Sequence, residues 1–285
     1  LPEGRVGCHL PDSPPMVAIM LAAGLAGKSL VLFSHDYVAE QLEELAAGRD
    51  ISVLITDATD LVIPGCVLLS PEALDMQRAM PAPVMAEYPA DSEILILTSG
   101  TTGRAKCALY LWSDLFSQVS RGVNRGDERW LLAYRLNHFA GVQMIVHVLR
   151  NQSTLVLPGS ERVADAIQTM VDFNVTHVSS TPTFWRYAMT LLKERHQEMS
   201  LSHITLGSEA STASLLDQLN TLFPSARIVQ IYALTEAGSC ISVADMKPGL
   251  PVDVLSRPAD ARAQFRIIDD ELQVRTAHGM LGYME

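Results

Sequence analysis

Cysteine is scarce and scattered in this 285-residue chain: Cys8, Cys66, Cys107 and Cys240 stand far apart, with no Cys-x-x-Cys spacing. Neither a zinc knuckle nor a disulfide framework is indicated, and a reducing cytoplasm fits best. Positive charge is also sparse. The formal net charge is −11, the pI is near 5.1 and no run of Lys or Arg occurs, which excludes a general binder of nucleic-acid backbones. Long apolar runs are missing too. Residues 16–26 are the most apolar stretch, and Gly27, Lys28 and Ser29 interrupt it far short of the roughly 20 residues of a membrane span. Neither a G-x-S-x-G elbow nor a G-x-G-x-x-G after a strand is present, which disfavours hydrolase and dehydrogenase readings. The N-terminus shows no basic, apolar and cleavage-site succession and opens on Leu1, from which a trimmed rather than an exported chain is expected.

The chain does have ample material for a core. Hydrophobic residues make up 48% and charged ones 19%, enough for one large domain or two fused lobes. Residues 30–33, 37–47 and 52–56 alternate as strand, helix and strand. A second series runs through 154–157, 163–173 and 176–180, with Val163, Ile167, Met170 and Val171 on one helical face. Residues 184–192, 204–206, 215–223 and 227–232 continue it as helix, strand, helix and strand, with Leu215, Leu216, Leu219 and Leu222 facing inward. Repeated crossovers imply a mostly parallel sheet. Residues 263–268 and 271–275 flank Asp269-Asp270 as a hairpin, so the last forty residues or so read as more β-rich. Residues 81–92, with Pro81, Pro83 and Pro89, are the best linker candidate.

One segment carries chemistry. The strand-like run 94–97 leads into Thr98-Ser99-Gly100-Thr101-Thr102-Gly103-Arg104-Ala105-Lys106. Glycines let backbone amides turn toward an anion, hydroxyls donate further hydrogen bonds, and Lys106 adds positive charge. An ordinary polar turn accounts for the composition about as well. The order does not match G-x-x-x-x-G-K-[ST], because three positions separate Lys106 from Gly103 and Cys107 stands in the Ser/Thr place.

The order of residues decides between the two readings. TSGTTGRAK closely resembles the TSGTTG-x-P-K-G signature of the adenylate-forming superfamily, which comprises acyl- and aryl-CoA ligases, peptide-synthetase adenylation domains and luciferases. Tyr232-Ala233-Leu234-Thr235-Glu236 resembles its Y-G-x-T-E, and Leu206-Gly207-Ser208-Glu209-Ala210 its glycine-rich adenine-facing turn. Residues 270–283 (DELQVRTAHGMLGY) resemble its G-E-L-x-V-R-G…G-Y segment, and the N-terminal residues its strand and N-S-P helix. The resemblance thus spans essentially the whole chain, in the family's order. It departs at Ala105, Cys107 and Ala233, which stand for proline, glycine and glycine.

The resemblance implies an α/β fold of mostly parallel sheets with flanking helices. Two fused lobes, residues 1–92 and 93–245, would precede a small β-rich lobe at 246–285, with the family's mobile C-terminal domain absent. It implies ATP-dependent activation of a small-molecule carboxylic acid to an acyl-adenylate, followed by transfer to a thiol. Thr98, Ser99, Gly100, Thr101, Thr102, Gly103 and Lys106 would hold the phosphates. Gly207, Ser208, Glu209, Tyr232, Ala233 and Thr235 would form the adenine and AMP site. Thr235, Glu236 and Lys106 would be catalytic, with Glu236 on Mg²⁺.

Asn137, His138, Phe139, Gly141 and Trp185 would line the acid pocket, although His138 alone reads as a satisfied histidine and Trp185 alone as core. Asn137 and His138 stand where amino-acid-activating domains place an aspartate, which points away from an amino acid and toward an aryl or medium apolar acid. The acceptor is expected to be CoA or a carrier protein's phosphopantetheine. The chain ends before the family's ribose aspartate and C-terminal lysine, so binding with poor turnover is expected. A non-catalytic ligand-binding homologue is the alternative of another class, motivated by Ala105, Cys107 and Ala233.

Overall fold

The computed structural model describes residues 4–74, 92–98, 105–120, 122, 125–192, 194–258 and 261–284. Of the linker candidate 81–92 only Ser92 lies among them; it is buried, and its Oγ donates to the Gly24 carbonyl at 2.7 Å. The backbone groups into two compact units. The first comprises Leu1–Gln118, Leu136–Phe139 and Met280–Glu285, and the second Val119–Arg135 and Ala140–Gly279.

The first unit is built on a seven-stranded sheet. Its order is Gly282–Met284, Lys106–Leu111, Glu93–Thr98, Leu30–Leu32, Arg5–His9, Ile51–Thr56 and Val67–Leu69. The four pairings from Glu93–Thr98 to Val67–Leu69 are parallel, and the other two are antiparallel. Leu30, Val31 and Leu32 are each fully buried, as an unbroken apolar run requires in a parallel strand covered on both faces. Ser13 caps the helix Pro14–Leu25 by accepting from the Met16 N–H at 3.4 Å, and the prolines at its first two positions need no donor there.

The second unit carries a six-stranded sheet in the order Gly238–Val243, Arg227–Leu234, His203–Leu206, His177–Ser180, Arg129–Leu132 and Thr154–Val156. All pairings but the first are parallel. Helices Val163–Asp172, Pro182–Leu192 and Ala213–Leu222 cover it, burying Ile167, Met170, Trp185, Leu215, Leu216 and Leu219 in one core. The inward face expected of Leu215, Leu216 and Leu219 is therefore observed; Leu222 packs at the margin. Each fully buried leucine contributes roughly 1.5–3 kcal/mol relative to exposure.

The predicted hairpin forms a separate two-stranded sheet, Ala263–Ile268 with Glu271–Thr276, and Asp269 and Asp270 both take positive φ at its turn. Phe265, Val254, Ala263 and Cys240 make a small core there, with Tyr232 and Val274 packed against it. The α/β architecture read from the alternation is thus present. Its antiparallel flanks were not legible: Gly238–Val243 turns back on Arg227–Leu234, and Gly282–Met284 joins the seven-stranded sheet beside Lys106–Leu111.

Candidate functional site

Parallel strands of an open α/β sheet deliver their loops to one edge, the carboxyl edge, where such folds place ligands. In the second unit that edge carries the adenine motif. Gly207 follows strand His203–Leu206 directly, and its N–H donates to the Ser180 carbonyl at the end of the neighbouring strand, 3.1 Å away. Ser208 then takes a left-handed φ of 68°. A Cβ on Gly207 would lie 3.2 Å from the Tyr134 hydroxyl and 3.6 Å from the Ile231 carbonyl oxygen, so the turn is pressed against its neighbours and a side chain there would crowd them. Glu209 is engaged elsewhere: its Oε2 accepts from Thr183 Oγ1 at 2.5 Å and from Arg186 Nη2 at 2.9 Å.

Strand Arg227–Leu234 lies next to that turn and brings the second motif to the same edge. Tyr232 meets Phe265 edge-on at 6.0 Å, and burial pushes its phenol pKa up. Ala233 sits at an irregularity where the pairing with Gly238–Val243 shifts register. Thr235, Glu236 and Ala237 form the tip of the hairpin, closed by the Ala237 N–H donating to the Leu234 carbonyl at 3.2 Å. A Thr-Glu pair after a strand, taken alone, suggests a helix cap; here the chain reverses into Gly238, whose φ of 72° completes the turn. Gly279 backs the tip, since a Cβ there would approach the Glu236 carbonyl oxygen to 2.7 Å.

The ends of the phosphate loop belong to the first unit. Thr98 and Lys106 are directly opposed in register on two antiparallel strands, whereas Ser99, Gly100, Thr101, Thr102 and Gly103 lie outside the described residues. The Lys106 ammonium stands over the Tyr283 ring, 4.9 Å from its centroid, a cation–π contact. Arg49 holds the carbonyl of Ala105 through Nη2 at 2.9 Å and that of Leu45 through Nη1 at 3.0 Å. Cys107 occupies no open glycine position. It is fully buried in the sheet core, and burial raises its thiol pKa despite the opposing pull of Arg49.

Of the acid-pocket candidates, Asn137 is buried, His138 is exposed, and Phe139 stacks on Tyr110 at 5.2 Å within the first unit. Gly141 is buried early in helix Phe139–Asn151. Trp185 is a core residue: it has no exposed surface and packs edge-on against Phe184 and Phe223. Its place in the acid pocket is withdrawn, because a ring closed off on all sides has no face for a ligand.

Sequence reasoning missed Tyr134, Tyr283 and Arg49. Tyr134 stands two residues beyond strand Arg129–Leu132 at the carboxyl edge, and the apolar run 130–133 was the available signal. Arg49 gave none, because its partner lies 56 residues away.

The family described as AMP-binding enzyme matches residues 1–284. A dimodular nonribosomal peptide synthase of Bacillus subtilis is 26% identical over 298 residues, covering 95% of this chain and 12% of that protein. A 2-succinylbenzoate–CoA ligase of Bacillus velezensis is 30% identical over 171 residues, covering 58% of this chain and 34% of the ligase. The chain thus spans well under half the length of these relatives. Among solved structures, the nonribosomal peptide synthetase FmoA3 in an AMPPNP-bound form superposes with a TM-score of 0.83 at 18% identity, covering 99% of this chain and 33% of that one. The motifs, the fold and the family match over nearly every residue agree: the chain belongs to the AMP-binding enzymes.

Proposed function

We propose that this chain binds ATP and a carboxylic acid and joins them as an acyl-adenylate, whose acyl group then passes to the thiol of CoA. A carboxylate oxygen attacks the α-phosphorus, the bond from that phosphorus to the bridging oxygen of pyrophosphate breaks, and pyrophosphate leaves. The thiol sulfur next attacks the acyl carbon and loses its proton, the bond from that carbon to the anhydride oxygen breaks, and AMP leaves with that oxygen. No side-chain nucleophile is needed, so the protein's contribution is placement and charge.

The observation that carries this reading is the carboxyl edge of the six-stranded sheet. Adjacent parallel strands there present the Gly207–Ser208 turn and, beyond Tyr232, the Thr235–Glu236 hairpin tip. In this reading the adenine-facing turn and the phosphate-facing tip stand on neighbouring parallel strands. Thr235 contacts the α-phosphate in this assignment, while Thr98, Lys106 and the hydroxyl loop between them take the outer phosphates. Asn137, His138, Phe139 and Gly141 belong to the acid subsite.

Mg²⁺ would shield the phosphate charge when bound. Its preference for water and phosphate oxygens, plus one or two carboxylates, suits the single hard oxygen donor that Glu236 offers at the tip. An aryl or medium apolar acid remains the favoured substrate, because Asn137 and His138 offer no carboxylate for an ammonium group.

Similarity to a peptide synthase favours a second acceptor, the phosphopantetheine of a carrier protein. Transfer to CoA and to a holo-carrier, run side by side, separates the two. The primary test is a thermal-shift screen with Mg-ATP, aromatic and aliphatic acids, and non-hydrolysable acyl-adenylates. A ligand bound only by the native state raises the midpoint by mass action. A shift confined to aryl-adenylates supports an aryl-acid ligase, and no shift with any nucleotide favours a non-catalytic homologue.

A further inference from the structure

Three strand ends converge on a residue that no motif contains. Tyr134 lies just beyond strand Arg129–Leu132, and its hydroxyl hydrogen-bonds the side chains of Ser179 on strand His177–Ser180 and Ser208 beyond strand His203–Leu206, and it faces the Gly207 backbone, whose N–H donates to the Ser180 carbonyl. A phenolic hydroxyl offers one donor and two acceptor positions. Exchanging one bond with each serine engages two of the three. The hydroxyl is enclosed, and burial pushes its pKa up to about 12, so at neutral pH the group is the neutral phenol this pattern requires.

Gly207 is fitted to this partner. The 3.2 Å separation between a hypothetical Cβ and the phenolic oxygen leaves little room for any side chain while the contact is kept. The next residue, Ser208, is a non-glycine held at φ 68°. Such a conformation costs of order 1 kcal/mol or more and persists where surrounding contacts over-determine it. Ser208's contact with Tyr134 is one such contact, and the Gly207 bond to Ser180 is another.

We propose that Tyr134 is a positioning residue for the adenine-facing turn: it ties Gly207 and Ser208 to the neighbouring strand end, so the turn keeps its shape before the nucleotide arrives. The proposal rests on the nucleotide-site reading above. Tyr134 itself need not touch the ligand. What it supplies is pre-organisation, which lowers the ordering cost of binding and sharpens discrimination of the base.

The test compares the unaltered chain with Tyr134→Phe and, as a milder cut, Ser179→Ala, which removes one partner and leaves the ring in place. Two readouts are taken: amide hydrogen exchange at residues 207–208 without ligand, and calorimetric binding of AMP against GMP. Tyr134→Phe is expected to speed exchange at those amides while leaving strand Thr154–Val156 unchanged. It should weaken AMP binding about tenfold and GMP binding less, so that the AMP-to-GMP ratio falls. Ser179→Ala should act in the same direction and more weakly.

A merely structural loss would lower both affinities alike, so an unchanged ratio overturns the proposal, as does unchanged exchange at 207–208. If the unaltered chain binds neither nucleotide, the nucleotide-site reading fails and takes the role in base discrimination with it. Should Tyr134→Phe not fold, Ser179→Ala carries the same comparison.

Discussion

The two edges of the six-stranded sheet differ in almost every chemical respect. At the carboxyl edge stand Tyr134, Gly207, Ser208, Thr235 and Glu236, small, hydroxylic or acidic residues on turns. At the amino edge Trp130, His177 and His203 lie side by side in register at the starts of their strands. The Trp130 ring meets His147 at 4.7 Å and His177 at 4.6 Å, and the His177 and His203 rings stack at 5.6 Å. Three imidazoles so close would invite a metal-site reading, yet among the described residues none is arranged with others to hold an ion. Here histidines pack, while the proposed chemistry belongs to the turns, so residue type alone misleads and position along the strand decides.

Removing the packing at the amino edge breaks this contrast most severely. Trp130 is almost wholly buried, and its Nε1–H donates to Glu128 at 2.9 Å. Trp130→Ala is expected to cost about 3–5 kcal/mol of stability, measured by urea unfolding. Adenylate-analogue affinity of the fraction that stays folded should hold within about twofold. A selective loss of affinity at unchanged stability would place function at the wrong edge.

The reverse experiment is Glu236→Gln at the hairpin tip. Acid-dependent exchange of pyrophosphate into ATP should fall about a hundredfold, on the scale of losing one preorganised electrostatic contact. The thermal midpoint should stay close to that of the unaltered chain. Retention of full exchange would remove Glu236 from the chemistry and weaken the adenylation reading with it. Gly207→Ala probes the same edge more gently. Its new Cβ would press on the Tyr134 hydroxyl, and AMP affinity measured by calorimetry is expected to drop roughly tenfold.

How far the sequence reached follows from what each feature depends on. The hairpin Ala263–Ile268 with Glu271–Thr276 and the inward leucines of helix Ala213–Leu222 were legible, because period-two and period-3.6 patterns are local. Strand Gly282–Met284 is three residues long and pairs with Lys106–Leu111 far upstream, a partnership no local period encodes. Trp185 was misplaced because an aromatic near a motif looks alike whether it lines a pocket or fills a core; only its closed surroundings tell the two apart. Cys107 reverses the lesson. Read as a lost glycine in a phosphate loop, it proves to be strand core, its side chain pointing where bulk is welcome.

Acid provides the smallest and most selective lever on the comparison. Burial, reinforced by His177 and Arg227, holds His203 down to about 4. Burial also lowers His147 and His177, with Arg125 adding to the effect and Glu128, 3.6 Å from His177 Nε2, opposing it. The folded chain therefore binds fewer protons at these sites than the unfolded chain, whose histidines titrate near 6.5. By linkage, stability is undiminished above about pH 6.5 and falls as pH drops from there toward 4, while the unfolded state alone takes up the protons. Thermal midpoints between pH 7 and 4.5 should decline along that course. Replacing His203 by Gln, which cannot be charged, should flatten part of the decline. At the carboxyl edge burial acts on phenols instead, raising Tyr134 and Tyr232 further from this window. If the decline were identical with and without His203, acid sensitivity would have to arise from His147, His177 or groups elsewhere, and His203 would lose its part in it.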